Sequence, residues 1–351
     1  MTDAPAVAYL GLDHHHCEPY LESLAALPAT VTCAYEPDES VAVPGQLADV
    51  TVYRDLDRLL DETEPKIAWI TASNRDTPAL LGRVVDAGLD AFVEKPMACT
   101  AAGLAPVVDR LGTADPLVVP SYPWRAHPIA GELRRRADEG FFGELEGVSA
   151  RFFAAAIRHR EPDHYIYDAA ASRGGIVQWL GVHWLDLVPW MLESEIEAVQ
   201  ARTSSGDLVD VEAGATVTFE LADGTLGSLE CGYTMEDGRY DTEIAIRGTG
   251  GRASWDPMGE TFGFTGETSV TLASEADTWA AAPRRTRTYE YAAGPGYGGR
   301  WGLSFMERFL EARRGETDPP ATIEDALTVL SVLDAIYEAA ETGSRTPVRQ
   351  S

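Results

Sequence analysis

The chain has 351 residues, 45% of them apolar, which is enough for one or more hydrophobic cores and, by length, for two domains. It carries 56 acidic against 28 basic side chains, a formal net charge of −28; this excludes the basic footprint of a nucleic-acid or anionic-lipid binder. No apolar run reaches the roughly 18–20 residues that span a bilayer and the start lacks a secretory signal, so a cytoplasmic protein with no membrane partner is expected.

Strand and helix signals alternate along the first third of the chain. Val7–Leu10 is a short apolar strand ending at Gly11, and a helix follows over Glu18–Leu27. Strands are predicted at Thr30–Tyr35, Val50–Tyr53, Ile67–Ile70, Ala91–Val93 and Leu117–Pro120. Helices fall between them, starting near Asp55, Thr77 and Ala101. Such alternation predicts parallel βαβ units in a doubly wound sheet, with ligands beyond the carboxyl ends of the strands. The pattern then changes. A helix over His127–Gly140 is followed by long strands at 145–154, 197–203, 213–221, 225–233, 241–247 and 251–255, with Ala222-Asp223-Gly224 as a hairpin turn. These predict a mainly antiparallel sheet, interrupted by one helix over Gly174–Leu192. Residues 256–296 give no clear element, and two helices, Arg300–Arg314 and Thr322–Glu341, close the chain. The expected division is 1–121 and 122–351.

The basic residues are nearly all arginine; Lys66 and Lys95 are the two lysines. Acidic excess with little lysine fits a surface adapted to molar salt, where dense carboxylates are screened. Cys17, Cys33, Cys99 and Cys231 show no CxxC spacing and read as reduced thiols.

Four features carry chemistry. The first is the turn Gly11-Leu12-Asp13-His14-His15-His16, placed where a dinucleotide pyrophosphate meets a helix start. It keeps the first glycine of GxGxxG and has Asp13 and His16 where the others would stand. The second is Glu36, 25 positions after Gly11 at the end of the second strand. A carboxylate there accepts hydrogen bonds from an adenosine ribose. With no arginine adjoining it in sequence, NAD is favoured over NADP. The third is Glu94-Lys95-Pro96 after the fifth strand. A lysine entering the crevice there donates to a substrate hydroxyl and stabilises alkoxide charge. The fourth is the histidine run itself. Adjacent imidazoles in a turn diverge, so no metal site is expected. Either one or two of them, His14 first, reach the crevice, or the run is a polar loop.

Taken in order, GLDHHH, YEPD at 35–38, TASN at 71–74, VEKPMA at 93–98, GFFGEL at 140–145, GGIVQWLGVHWLDL at 174–187 and the closing TIEDALTVLSVLDAIYEAAETG resemble the Gfo/Idh/MocA oxidoreductases. The resemblance covers nearly the whole chain. It implies an N-terminal NAD-binding Rossmann domain and a C-terminal α/β domain with an open, mainly antiparallel sheet, often used for homo-oligomers. It implies hydride transfer to or from a sugar, cyclitol or polyol hydroxyl. By matching positions, Lys95 and His183 are the catalytic pair, and Gly11, Glu36, Asn74, Glu94, Lys95 and Pro96 hold the cofactor. Arg125, Trp179 and His14 are candidates for the substrate pocket, while Asp186 reads as structural. Trp179 stands where the family often has an aspartate, four residues before the histidine. That departure, with Asp13, keeps two alternatives open: a non-catalytic ligand-binding protein on a dehydrogenase fold, and NAD-assisted sugar chemistry without net redox change.

Overall fold

The computed structural model describes residues 4–112, 116–206, 209–258, 267–290 and 294–349. Among these, the chain forms two compact units, Met1–Pro123 with Ala293–Leu327 and Trp124–Ala292 with Thr328–Ser351.

The first unit is built on β1 (Ala6–Leu10), α1 (Cys17–Ala26), β2 (Thr30–Tyr35), β3 (Thr51–Tyr53), α2 (Leu56–Glu62), β4 (Ile67–Ile70), α3 (Thr77–Asp86), β5 (Asp90–Val93), α4 (Ala101–Val108) and β6 (Val118–Pro120). All six strands pair in parallel in the order β3-β2-β1-β4-β5-β6. This is the doubly wound order, with β1 and β4 flanking the point where the connections reverse. Ile67, Ala68, Trp69 and Ile70 are all buried, as the centre of a two-sided parallel sheet requires. Short polar side chains start the helices. Asp55 accepts from the backbone N–H of Asp57 (2.9 Å) and Arg58 (3.2 Å), and Thr100 from that of Gly103 (3.2 Å).

In the second unit, α5 (Pro128–Asp138), β7 (Leu145–Ala155), a short α6 (Ala169–Ser172) and α7 (Val182–Leu192) precede a run of strands. These are β8 (Ile196–Ser205), β9 (Glu212–Leu221), β10 (Leu226–Met235), β11 (Tyr240–Gly248), β12 (Arg252–Asp256), β13 (Glu267–Ala273) and β14 (Arg284–Glu290). The order is β14-β13-β12-β11-β7-β10-β9-β8, closed at its edge by Thr346–Pro347; β7 and β10 pair in parallel and the rest antiparallel. Along β9, Ala215, Val217, Phe219 and Leu221 are buried while Thr216 and Thr218 are exposed, the period-2 pattern of a sheet with one covered face. Trp184 of α7 lies on that face and donates its indole N–H to the Arg151 carbonyl of β7 at 2.8 Å.

Two differences from the sequence reading are informative. Residues 256–296 hold β13 and β14, whose Thr/Arg-rich stretches carry little apolar alternation; residues 259–266 and 291–293 lie outside the described residues. Second, a single cut near 121 misses the return of the chain. The helix α8 (Gly299–Arg313) belongs to the first unit, where Phe309 and Phe305 stand edge-on to Phe92 (centroids 5.5 and 6.1 Å), itself stacked on Trp69 at 4.0 Å. Arg313 pairs with Asp90 at 2.7 Å. The last long helix, α9 (Ile323–Thr342), lies mostly in the second unit.

His127 is a buried helix cap whose Nδ1 accepts the Ile129 N–H at 3.1 Å. Burial pushes its imidazole down to about 3. A base with a depressed native value contributes stability that is complete above its unfolded value near 6.5 and is lost as pH falls from there toward 3. That loss is on the order of 4–5 kcal/mol by the lower limit. Denaturant titrations of the wild type are expected to show stability falling from pH 6.5 downward. His127→Asn keeps a capping oxygen and is expected to flatten that slope; an unchanged slope would refute the assignment.

Candidate active site

The candidate residues of the first unit gather along the carboxyl edge of its sheet. Gly11 follows β1, Glu36 follows β2, Asn74 lies in the turn after β4, and Glu94-Lys95-Pro96 leaves β5. Gly11 has φ +91°, and a Cβ there would sit 2.8 Å from the Ala72 nitrogen. The surviving glycine is therefore demanded by close packing of the turns after β1 and β4. Thr71 fixes that packing by donating to the Gly11 carbonyl at 2.6 Å. Asn74 is buried.

Glu36 is buried and turned under the first turn. One carboxylate oxygen accepts the Leu12 N–H at 2.8 Å and the other the Asp38 N–H at 3.0 Å. The premise that no arginine adjoins it is overturned here. Arg54 donates one guanidinium nitrogen to the carbonyls of Glu36 (2.7 Å) and Asp38 (2.8 Å). The reason is strand register: Tyr35 of β2 lies opposite Tyr53 of β3, so the residues following each strand are neighbours. A search limited to residues near Glu36 in sequence misses this; matching the ends of parallel strands finds it.

Lys95 is 1% exposed, and its Nζ lies 3.4 Å from Glu94 Oε1. The Lys95–Pro96 peptide is cis. Burial pushes the Lys95 ammonium below its usual range, and Glu94 opposes that shift. Burial pushes the Glu94 carboxyl up, but Lys95 and His16 outweigh it and hold the group well below the ordinary range. Two residues unforeseen from sequence complete the network. The Tyr20 hydroxyl of α1 donates to Glu94 Oε2 and lies 2.7 Å from Ser121 Oγ, at the end of β6. Tyr20 follows His16 by four positions, one helical turn, and that spacing was the available signal.

The three histidines do not diverge as adjacent residues were expected to. Their ring centroids lie 4.5–4.8 Å apart and their nearest nitrogens fall within 4.8 Å of one another. His14 Nδ1, however, accepts the His16 N–H at 3.0 Å. A neutral imidazole has one lone-pair nitrogen, so while this bond is made His14 Nε2 carries the proton. Burial first, then His15 and His16, push the His14 imidazole well below its ordinary range.

In the second unit His183 is buried on the first turn of α7. The single helix predicted from 174 is instead a π-turn over Val177–Gly181 that runs into α7. A Cβ on Gly174 would strike the Tyr337 hydroxyl and one on Gly175 the Glu212 carbonyl, so both glycines allow close approach. The Glu212 carboxylate fills the helix start, accepting the N–H of Gly175 (2.8 Å) and Val177 (3.0 Å), while Tyr337 donates to it at 3.0 Å. Sequence reading gave no hint of Glu212, which comes from β9. A π-turn bonds i to i+5, which puts Gln178, also buried, one such turn before His183. Trp179 points elsewhere: its buried indole N–H bonds the Ile166 carbonyl (3.0 Å) and Ser172 Oγ. Arg125, considered for the substrate pocket, turns its guanidinium onto Asp186, with contacts of 3.1, 3.1 and 2.5 Å.

Family models match both parts of the chain. Residues 8–120 match the oxidoreductase family with an NAD-binding Rossmann fold, and residues 131–254 the GFO/IDH/MocA C-terminal domain. The chain belongs to the Gfo/Idh/MocA oxidoreductase family. Among its Gfo/Idh/MocA relatives, D-xylose 1-dehydrogenase (NADP(+)) 2 of Haloferax volcanii is 24% identical over 86% of each chain. Inositol 2-dehydrogenase 2 of Saccharopolyspora erythraea is 24% identical over 91% of this chain and 88% of its own. In fold, the chain is similar to levoglucosan dehydrogenase in complex with NADH, with TM-score 0.82 at 18% identity over 99% of this chain and 100% of that one. It is likewise similar to an oxidoreductase domain protein from Kribbella flavida, with TM-score 0.83 at 17% identity over 99% and 100%.

The dinucleotide that a Gfo/Idh/MocA Rossmann domain implies fits the residues present. Gly11, Glu36, Asn74, Glu94 and Lys95 share one sheet edge at the switch point. Glu36 and Arg54 supply a carboxylate and a guanidinium at the β2–β3 end, where an adenosine ribose is recognised. Lys95 supplies a buried ammonium at the β5 end.

Proposed function

We propose that this enzyme oxidises or reduces a hydroxyl carbon of a sugar, cyclitol or polyol with NAD or NADP. The observation that carries the reading is Lys95, a buried charge at the carboxyl edge of a Rossmann sheet, with the Glu94 carboxylate 3.4 Å from its ammonium. Burying a charge is costly, and such costs concentrate at functional sites. A bound nicotinamide would supply the hydride acceptor or donor. Lys95 holds the reacting hydroxyl and stabilises its developing negative charge. His183 takes the proton as general base, and Lys95 shares the proton relay with it. Glu36 and Arg54 bind the adenosine ribose, and Asn74, Glu94 and Pro96 shape the nicotinamide end. The names of the relatives point to aldoses, inositols and anhydrosugars as the panel for a screen.

The first test is binding of NADH and NADPH to the purified chain in molar KCl, followed by tryptophan fluorescence and calorimetry. Binding of neither to folded protein would overturn the dehydrogenase reading in favour of a ligand-binding protein. Because Arg54 stands beside Glu36, both cofactors are expected to bind. Arg54→Ala should weaken NADPH about 10-fold or more, the worth of a charge-assisted contact, and leave NADH within about 2-fold. Equal losses for both cofactors would refute a role in reading the 2′-phosphate.

A further inference from the structure

The function argued above leaves the histidine run unused, yet His16 is placed against the carboxylate that serves Lys95. His16 Nδ1 lies 3.5 Å from Glu94 Oε2, while Lys95 Nζ lies 3.4 Å from Glu94 Oε1. Exposure rises along this line, from 1% at the Lys95 side chain through 3% at Glu94 to 19% at His16. A lysine buried to this degree has little direct contact with water, and an oxidation releases one proton in every turnover.

We propose that Glu94 and His16 form the proton exit of Lys95. The inference rests on the proposed function, with Lys95 sharing the proton relay with His183. The Lys95 ammonium passes one proton to Glu94 Oε1, leaving a neutral amine and a neutral carboxyl group. The carboxyl group turns about its last bond and delivers that proton to neutral His16 at Nδ1. The imidazolium then releases its Nε2 proton to water, Glu94 is again a carboxylate, and exchange of the remaining imidazole N–H with water returns His16 to the Nε2–H tautomer. One proton has moved from Lys95 to solvent, no electrons have moved, and reduction runs the same path inward.

The surroundings suit this path. Tyr20 donates to the Glu94 oxygen on the His16 side, a bond that either carboxyl oxygen can accept after the turn, and Ser121 in turn holds Tyr20. The Tyr297 ring packs on the His16 ring at 4.2 Å, and the rings of His14 and His15 flank it at 4.8 and 4.5 Å. Both gaps are ion-pair lengths, and small side-chain motions close them to hydrogen-bond reach. Because Glu94 is held well below the ordinary carboxyl range, the neutral carboxyl group is a short-lived intermediate and not a resting state.

The two-lysine composition permits a test that needs neither substrate nor cofactor. With ¹⁵N-lysine labelling the chain gives Nζ signals from Lys66 and Lys95 alone, and exposed Lys66 serves as the internal control. Hydrogen exchange at the Lys95 ammonium is expected to slow at least 10-fold in His16→Gln and to recover when imidazole buffer is added. The exposed neighbour His15→Gln should leave it unchanged. Added imidazole should accelerate Lys95 exchange in the wild type by less than 2-fold. Unchanged Lys95 exchange in His16→Gln, or large acceleration of the wild type by buffer, overturns the path. Loss of turnover in a Lys95 variant alongside unchanged exchange in His16→Gln would sink the exit while leaving the dehydrogenase reading intact.

Discussion

Lys95→Met is expected to lower kcat/KM by at least about 10³-fold while dinucleotide binding stays within a few-fold. Removing a donor to developing oxyanion charge costs about 10²–10³, and losing a positioned proton-transfer group about 10²–10⁴. Groups acting as a unit do not add, so 10³ is the floor. Methionine is the right replacement because it nearly fills the buried space without a charge. Glu94 keeps its hydrogen bond from Tyr20 and its contact with His16, so the site is not left with an isolated carboxylate. The assay is reduction of NAD or NADP at 340 nm with the best substrate of the sugar and inositol panel, with circular dichroism as the folding control. Activity within 10-fold of wild type would remove Lys95 from the mechanism.

Arg125→Ala is expected to destabilise the protein by about 3–5 kcal/mol, the cost of leaving one partner of a buried ion pair alone. Asp186 is 1% exposed, and Arg125 meets both of its oxygens. Asp186 stands three residues after His183 on α7, so the pair also sets the roll of the helix that carries the candidate base. Replacing both partners, Arg125→Met with Asp186→Leu, is expected to recover most of the loss, because an apolar pair of similar size removes both desolvation costs. Denaturant titration in molar KCl measures each variant. A raised KM with unchanged stability in Arg125→Ala would instead make Arg125 a substrate contact, the role that sequence position alone suggested.

The contrast between these two residues shows what kind of site information a sequence carries. Lys95 was legible because the motif, the end of β5 and the scarcity of lysine all pointed to one position. Position alone pointed Arg125 toward the pocket, and nothing in its neighbourhood announces Asp186, a partner 61 positions away. Trp179 raised the same difficulty. Its place four residues before His183 suggested a pocket residue, but the π-turn shifts the phase and its indole serves Ile166 and Ser172. Arg54 shows that a sound rule fails when adjacency is judged along the chain rather than across parallel strands.

By itself the sequence determined the elements whose signals are local. These are the strand–helix alternation, the hairpin turn, the glycine after β1, and the motif that puts a lysine at a strand end. Each follows from periodicity, backbone steric limits or a short spacing that no distant residue can override. Tertiary structure alone decided which charges meet. The Glu36–Arg54 neighbourhood, the Arg125–Asp186 pair, the Glu212 cap and the Tyr20–Glu94–His16 network all join residues far apart in the chain. The return of α8 to the first sheet is of the same kind. Such contacts exist only after strands have paired in register and helices have docked, because burial then forces each polar group to find whichever partner the packing has brought within reach.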